Sequence, residues 1–212
     1  ERLYIAMEYL EGRTLAELIG ETAARGETVT ERRCLRIMNQ LADAVTSIHA
    51  MGIVHRDIKP NNVIVSGSER VEERVKLIDF GVAFHPVQSS GETLAGSRRY
   101  IDPRVLAGKP ADTNSDLYGA ALAILEIIHQ EPVWPSLDPL SLYRRIKRSL
   151  EKRATELTDG LYPPLAGILG RLLLQVHPDR RRDRPDPRDR RMGTARGMPP
   201  GQRTRGRLAF PG

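Results

Sequence analysis

Between Thr30 and Ala50 the apolar residues Leu35, Met38, Leu41, Val45 and Ile48 return every three or four positions, which is one stripe of a helix. Thr30 stands where an N-cap belongs, and Gly52 lies just past the end, where a left-handed residue is commonly needed. Leu117 to His129 is apolar nearly all round and predicts a helix at the centre of the molecule. Ser141 to Lys152 and Leu165 to Val176 repeat the helical spacing, and Thr14 to Ile19 reads as the first turns of another helix capped by Thr14. Leu3 to Tyr9 predicts a strand that ends at the turn-prone Glu11-Gly12. Val63 to Val65 and Val75 to Ile78 predict a hairpin-like pair joined by a polar loop, Ser66 to Arg74. Residues 82 to 114 hold no period and predict a long loop, of the kind that is functional or disordered. The pattern as a whole predicts a mainly α fold with short β-strands.

Composition changes this picture at one end. The formal charge of +6 suggests a nucleic-acid binder, but from Arg180 to Gly212 there are 11 Arg and 3 Asp, whereas residues 1–179 sum to −2. That basic stretch is rich in Pro and Gly and poor in large apolar side chains, so a disordered extension over 183–212 is expected. Salt-sensitive binding of nucleic acid by its arginines is the weaker reading, because Phe210 is its only aromatic residue. A single cysteine, Cys34, excludes an internal disulfide and suggests a reducing, cytoplasmic setting; on its helix it reads as a small core residue. The chain opens without the order of a signal peptide, and the run from Leu117 to Ile128, which contains Glu126, is too short for a bilayer, so no membrane role is expected. His49, His85, His129 and His177 have no metal-ligand spacing, and no zinc is assigned.

Candidate chemistry is concentrated in His55-Arg56-Asp57-Ile58-Lys59-Pro60-Asn61-Asn62 and in Ile78-Asp79-Phe80-Gly81. A carboxylate such as Asp57 can take the proton of a hydroxyl, and Lys59 can neutralise charge on the group under attack. The amide oxygen of Asn62 and the carboxylate of Asp79 are hard ligands that suit Mg²⁺, which leaves part of its shell to phosphates. Base, cation, amide ligand and acid ligand together describe a site for moving a phosphoryl group.

These residues resemble the C-terminal lobe of eukaryotic-type protein kinases over roughly residues 3–182, as a hinge strand plus one lobe of a two-lobed α+β domain. The resemblance implies that Asp57 is the catalytic base, that Lys59 contacts the transferred phosphate, and that Asn62 and Asp79 hold Mg²⁺. It also implies ATP as the donor, with Met7 as gatekeeper, backbone bonds to adenine around Glu8 and Leu10, and Ile64 under the ring. Ser115-Asp116-Leu117-Tyr118 is similar to the start of the central helix, whose Asp anchors the catalytic loop, and His55 is expected to pack near Phe80 in a structural role. Lys59 in its place implies serine/threonine specificity toward a protein substrate, and Gly96 to Tyr100, with Ser97, resembles the segment that receives the acceptor. Arg56 before the base implies control by loop phosphorylation, with Ser89, Ser90 and Thr93 as candidate sites, Thr93 slightly ahead.

Three departures qualify the resemblance. No Gly-rich loop, strand lysine or helix glutamate of an N-terminal lobe is seen, and the chain begins in mid-pattern at Glu1, so a fragment that transfers phosphate feebly or not at all is expected. The missing lobe is expected in the same natural chain. The last helix of the lobe gives way to the Arg-rich stretch. Asp102-Pro103-Arg104 stands where the family has Ala-Pro-Glu, whose Glu pairs with a late Arg; Arg104 would bring two cations together with one of Arg180 to Arg182, so either the loop is reorganised or the lobe is locally destabilised. These departures carry the alternative function, a non-catalytic, pseudokinase-like binding or scaffold module.

Overall fold

A computed structural model describes residues 8–68, 71–80 and 97–177. Met7, Ser89, Ser90, Thr93, Arg180 to Arg182 and the stretch 183–212 lie outside the described residues. The chain order is β1 (Arg13–Thr14), α1 (Leu15–Ala24), α2 (Glu31–Ala50), β2 (Val63–Ser68), β3 (Val71–Leu77), α3 (Pro103–Leu106), α4 (Thr113–His129), α5 (Pro139–Thr158) and α6 (Pro163–Leu174). The helices form where the apolar stripes predict them, and their starts follow from capping. Thr14 accepts from the Glu17 amide while the Glu17 carboxylate accepts from the Thr14 amide, a reciprocal box that opens α1. Thr30 caps α2, and Asp138 followed by Pro139 starts α5 two residues before the stripe, which also runs on to Thr158.

The strands form one antiparallel sheet in the order β1-β2-β3, with Ile64 of the central strand facing Thr14 on one side and Lys76 on the other. The polar loop expected between Ser66 and Arg74 is mostly strand. Glu72, Arg74 and Lys76 are exposed while Glu73 and Val75 turn inward, so the alternation of a half-buried strand is present but has a carboxylate on its inner face. Arg33 of α2 makes that tolerable: its Nε and Nη2 donate to Glu73 Oε1 at 2.9 and 2.6 Å. Gln40 completes the attachment, donating to the Glu73 carbonyl and accepting from the Val75 amide, both at 3.0 Å. At the hairpin end Gly67 has φ +76°, and a side chain there would meet the Glu72 carbonyl oxygen at 2.6 Å.

Residues 97–114 are likewise not the featureless loop expected. Ser97–Tyr100 is a 3-10 turn, α3 follows, and α4 opens at Thr113 on a double cap by Asp112, whose side chain accepts from the amides of Asn114 and Ser115. Such short turns hold too few residues to show a period.

The core surrounds α4. Tyr118, Leu122, Ile124, Leu125 and Ile127 are fully buried, packed with Leu15 and Leu18 of α1, Ile37 and Leu41 of α2, Ile146 and Leu150 of α5 and Leu169 of α6. Cys34 is among these core residues. The Trp134 indole donates to the Tyr118 hydroxyl at 2.9 Å, which satisfies both polar groups in the interior. Among the described residues no helix is long and apolar enough to cross a membrane.

Candidate active site

The loop between α2 and β2 carries most of the chemistry expected from the sequence, and α4 holds it from beneath. The buried Asp116 carboxylate accepts from the backbone amides of His55 at 2.8 Å and Arg56 at 2.7 Å, and from His49 Nε2 at 2.8 Å. These bonds fix a strained turn: Arg56 has φ +70°, rare for a side chain of this size, and its side chain is exposed. Nothing in the sequence points to His49 for this role, because a histidine at the end of an amphipathic helix carries no signal until Asp116 lies opposite it. Gly119 admits the loop still closer, since a Cβ there would stand 2.6 Å from the Ile58 carbonyl oxygen.

His55 has the structural role expected of it. Its ring lies 4.9 Å from that of Phe80, its Nδ1 accepts from the Asp57 amide at 3.3 Å, and its Nε2 donates to the Ile78 carbonyl at 3.1 Å. The ring thus serves as a strut between the loop and the end of β3, with the Nε2 proton assigned from its acceptor.

Asp57, Lys59 and Asn62 converge. Lys59 Nζ donates to Asp57 Oδ2 at 2.6 Å, and Asn62 Nδ2 donates to the same oxygen at 3.0 Å and to the Asp57 carbonyl at 2.8 Å. Pro60 opens the 3-10 turn Pro60–Asn62 that makes this spacing possible. The buried Asn62 then accepts from the Ile78 amide at 2.9 Å through its backbone, so Asp79 directly follows the residue bonded to Asn62. Asp79 is exposed and has φ +60°, a second strained residue in the same neighbourhood. Because the Asn62 amide nitrogen is engaged by Asp57, its Oδ1 remains as the acceptor, a hard oxygen donor as the Asp79 carboxylate is. Two such donors fit Mg²⁺ that shares its shell with phosphates, although they fall short of a complete cage.

Glu8, Leu10 and Ile64 lie on the strand side of this loop. Glu8 Oε1 accepts from Lys76 Nζ at 3.0 Å, and Lys76 is the register partner of Ile64. Glu8 is exposed, Leu10 and Ile64 half-buried. Ser97 opens the 3-10 turn that leads into α3.

The segment after Ser97 is bound to α4 at two places that the sequence does not announce. The Tyr100 hydroxyl donates to Glu126 Oε2 at 2.7 Å, and Glu126 Oε1 is buried without a hydrogen bond among the described residues. Burial pushes the Glu126 carboxyl up, against the Tyr100 hydrogen bond and the Arg99 charge, and burial with the Glu126 charge pushes the Tyr100 phenol up as well, so it stays a donor. A carboxyl raised on folding gives stability that is whole below its unfolded value and is lost as pH rises through its folded value. Glu126→Gln is therefore expected to be less sensitive than the wild type to a rise from about pH 4 to 7. Urea midpoints measured across that range check this, and parallel curves for the two proteins would remove Glu126 as the source.

The expected meeting of Arg104 with one of Arg180 to Arg182 falls outside the described residues. Among those described, Arg104 has two anionic partners: its Nη2 donates to Asp102 Oδ2 at 2.5 Å and to Asp112 Oδ1 at 2.7 Å, and its Nε donates to Asp102 Oδ2 at 3.0 Å. The Ser115 hydroxyl adds a bond to the buried Asp102 at 2.6 Å. Burial works against the charges of Arg104 and Asp112, but their mutual bonds and attraction outweigh it, holding the guanidinium up and the Asp112 carboxyl down. The departure at 104 is matched by a buried anion at 102, two residues away in the same departing stretch.

Comparison with known proteins agrees with this arrangement. The profile described as "Protein kinase domain" matches residues 1–181. The chain belongs to the protein kinase domain family. This kinase chain is 35% identical over 139 residues to "Probable serine/threonine-protein kinase PknB" of Bifidobacterium longum, covering 62% of the chain and 19% of that protein. It is 30% identical over 180 residues to "Aurora kinase C" of Mus musculus, covering 85% of the chain and 60% of that protein. It is 34% identical over 125 residues to "MAP kinase kinase MKK1/SSP32" of Saccharomyces cerevisiae, covering 59% of the chain and 24% of that protein. The kinase chain therefore spans less than two thirds of the length of each of these relatives.

Proposed function

We propose that the chain is the hinge and C-terminal lobe of a serine/threonine kinase that moves the terminal phosphoryl group of ATP to a Ser or Thr of a protein substrate. The observation that carries this reading is the convergence of Lys59 and Asn62 on one oxygen of Asp57. With Oδ2 held by two donors, the carboxylate is oriented and Oδ1 is left to take the proton of the acceptor hydroxyl. The Lys59 ammonium, beside that carboxylate, stabilises charge as it builds on the phosphoryl oxygens. Mg²⁺-ATP, when bound, supplies the phosphoryl group and screens its charge; Asn62 and Asp79 would hold the metal. Glu8, Leu10 and Ile64 would form the adenine side of the site, the gatekeeper role implied for Met7 falls outside the described residues, and Arg56 would receive a phosphate placed on Thr93.

The lobe that closes over ATP belongs to the same natural chain in this reading, and the 212 residues alone are expected to be feeble or inactive. A cytoplasmic setting follows from the lone cysteine, and residues 183–212 are read as a disordered extension with no nucleic-acid role. The scaffold alternative draws on residue 104, yet the counter-charge at Asp102 argues for reorganisation rather than decay. Mg²⁺-dependent ATP binding decides between them. A chain carrying both lobes is expected to bind ATP in calorimetry only when Mg²⁺ is present and to phosphorylate a Ser/Thr peptide library. ATP binding that is absent or indifferent to Mg²⁺ would leave the scaffold reading.

A further inference from the structure

Between Pro139 and Thr158 helix α5 carries six Lys or Arg and two Glu, a net +4 in a body whose residues 1–179 sum to −2. This excess borders a cavity of about 720 Å³, lined by Arg145, Lys152 and Arg153 of α5, by Arg99 of the turn that follows Ser97, and by Trp134 and Pro135. A cavity of that volume is within the range of ligand sites and accommodates several side chains of an extended segment. Its acidic lining is already engaged. Glu131 pairs with Arg153 at 3.4 Å, and Glu156 pairs with Lys152 and Arg153, each at 3.6 Å. Arg145 is exposed and makes no side-chain ion pair among the described residues. The cavity therefore presents surplus positive charge beside the exposed Pro132 and Pro135, with Trp134 buried beneath them.

From this the geometry points to a recognition site for an acidic segment of the protein substrate, close in sequence to the acceptor Ser or Thr. The inference rests on the proposed function, because Arg99 links the cavity to the segment at Ser97 that would receive the acceptor. Carboxylate or phosphate side chains of the substrate reach Arg145 and Lys152 while its backbone crosses the exposed Pro135. Complementary charge of this kind selects partners and speeds their encounter, and it weakens with salt.

The test uses the natural full-length chain and fluorescein-labelled peptides with a central Ser flanked by Glu, by Gln or by Lys. Fluorescence anisotropy should show the Glu peptide binding about tenfold more tightly than the Gln peptide, and the Lys peptide more weakly than both. The double variant Arg145→Glu/Lys152→Glu should abolish that order, with its thermal melting unchanged because both side chains are exposed. Added salt should erase the difference in the wild type. Equal binding of the Glu and Gln peptides, an order that survives the double variant, or tighter and more salt-sensitive binding of a single-stranded oligonucleotide to the same residues overturns the proposal. Phosphoryl transfer to the same peptides separates the two layers. Transfer without acid preference removes the recognition site and keeps the kinase, whereas acid-selective binding without transfer does the reverse.

Discussion

Asp57→Asn lowers the turnover of the kinase carrying both lobes by at least ~10²-fold, the scale of a lost general base. Asparagine keeps the size of the side chain and one oxygen that can accept from Lys59 and Asn62, so the loop retains its shape. What disappears is the group that can take a proton from the acceptor hydroxyl. The Asp116 bonds to His55 and Arg56 do not involve residue 57, so the turn stays anchored to α4. ATP affinity should accordingly change little while kcat falls, and this split distinguishes loss of a base from collapse of the site. Initial rates at saturating ATP and peptide, together with an ATP titration, provide both numbers. An unchanged kcat would remove Asp57 from the role; a parallel loss of ATP binding would mean that the substitution disturbed the fold.

Arg104→Glu, which restores the glutamate usual in the family, is expected to destabilise the lobe by about 3–5 kcal/mol. In this chain the restored residue has no compatible setting. Asp102 is buried, with its side chain closed to solvent, and draws its bonds from Arg104 and the Ser115 hydroxyl. Removing the guanidinium strands that carboxylate, and a second carboxylate at 104 faces both it and Asp112. The companion change Asp102→Ala removes the stranded charge, so the double variant Asp102→Ala/Arg104→Glu should recover a large part of the loss. Urea denaturation of the wild type, both single variants and the double variant completes the cycle. Additive effects would show that residues 102 and 104 are not energetically coupled and that the network contributes less than its geometry suggests.

Much of this molecule is legible in its amino-acid sequence. The stripes of α2, α4, α5 and α6 and the caps at Thr14 and Thr30 are local properties, because helix periodicity and capping involve residues within a few positions of one another. The chemistry is legible for the same reason. Asp57, Lys59 and Asn62 lie within six residues, so one turn stiffened by Pro60 brings them together, and Asp79 follows a strand whose partner begins at Val63.

What the sequence could not decide depends on partners far away in the chain. Glu73 reads as a solvated loop residue because only folding brings Arg33, forty positions earlier, against it. The roles of His49 and of Tyr100 with Glu126 come from contacts 67 and 26 residues apart. Arg104 reads as an uncompensated cation because its significance depends on how α3 meets the first turn of α4. The sequence by itself thus determined the helical elements, the grouping of Asp57, Lys59 and Asn62 on one turn, and the family. Tertiary structure alone decided which charges are paired, since the worth of a buried charge is set by the group opposite it and not by its neighbours in sequence.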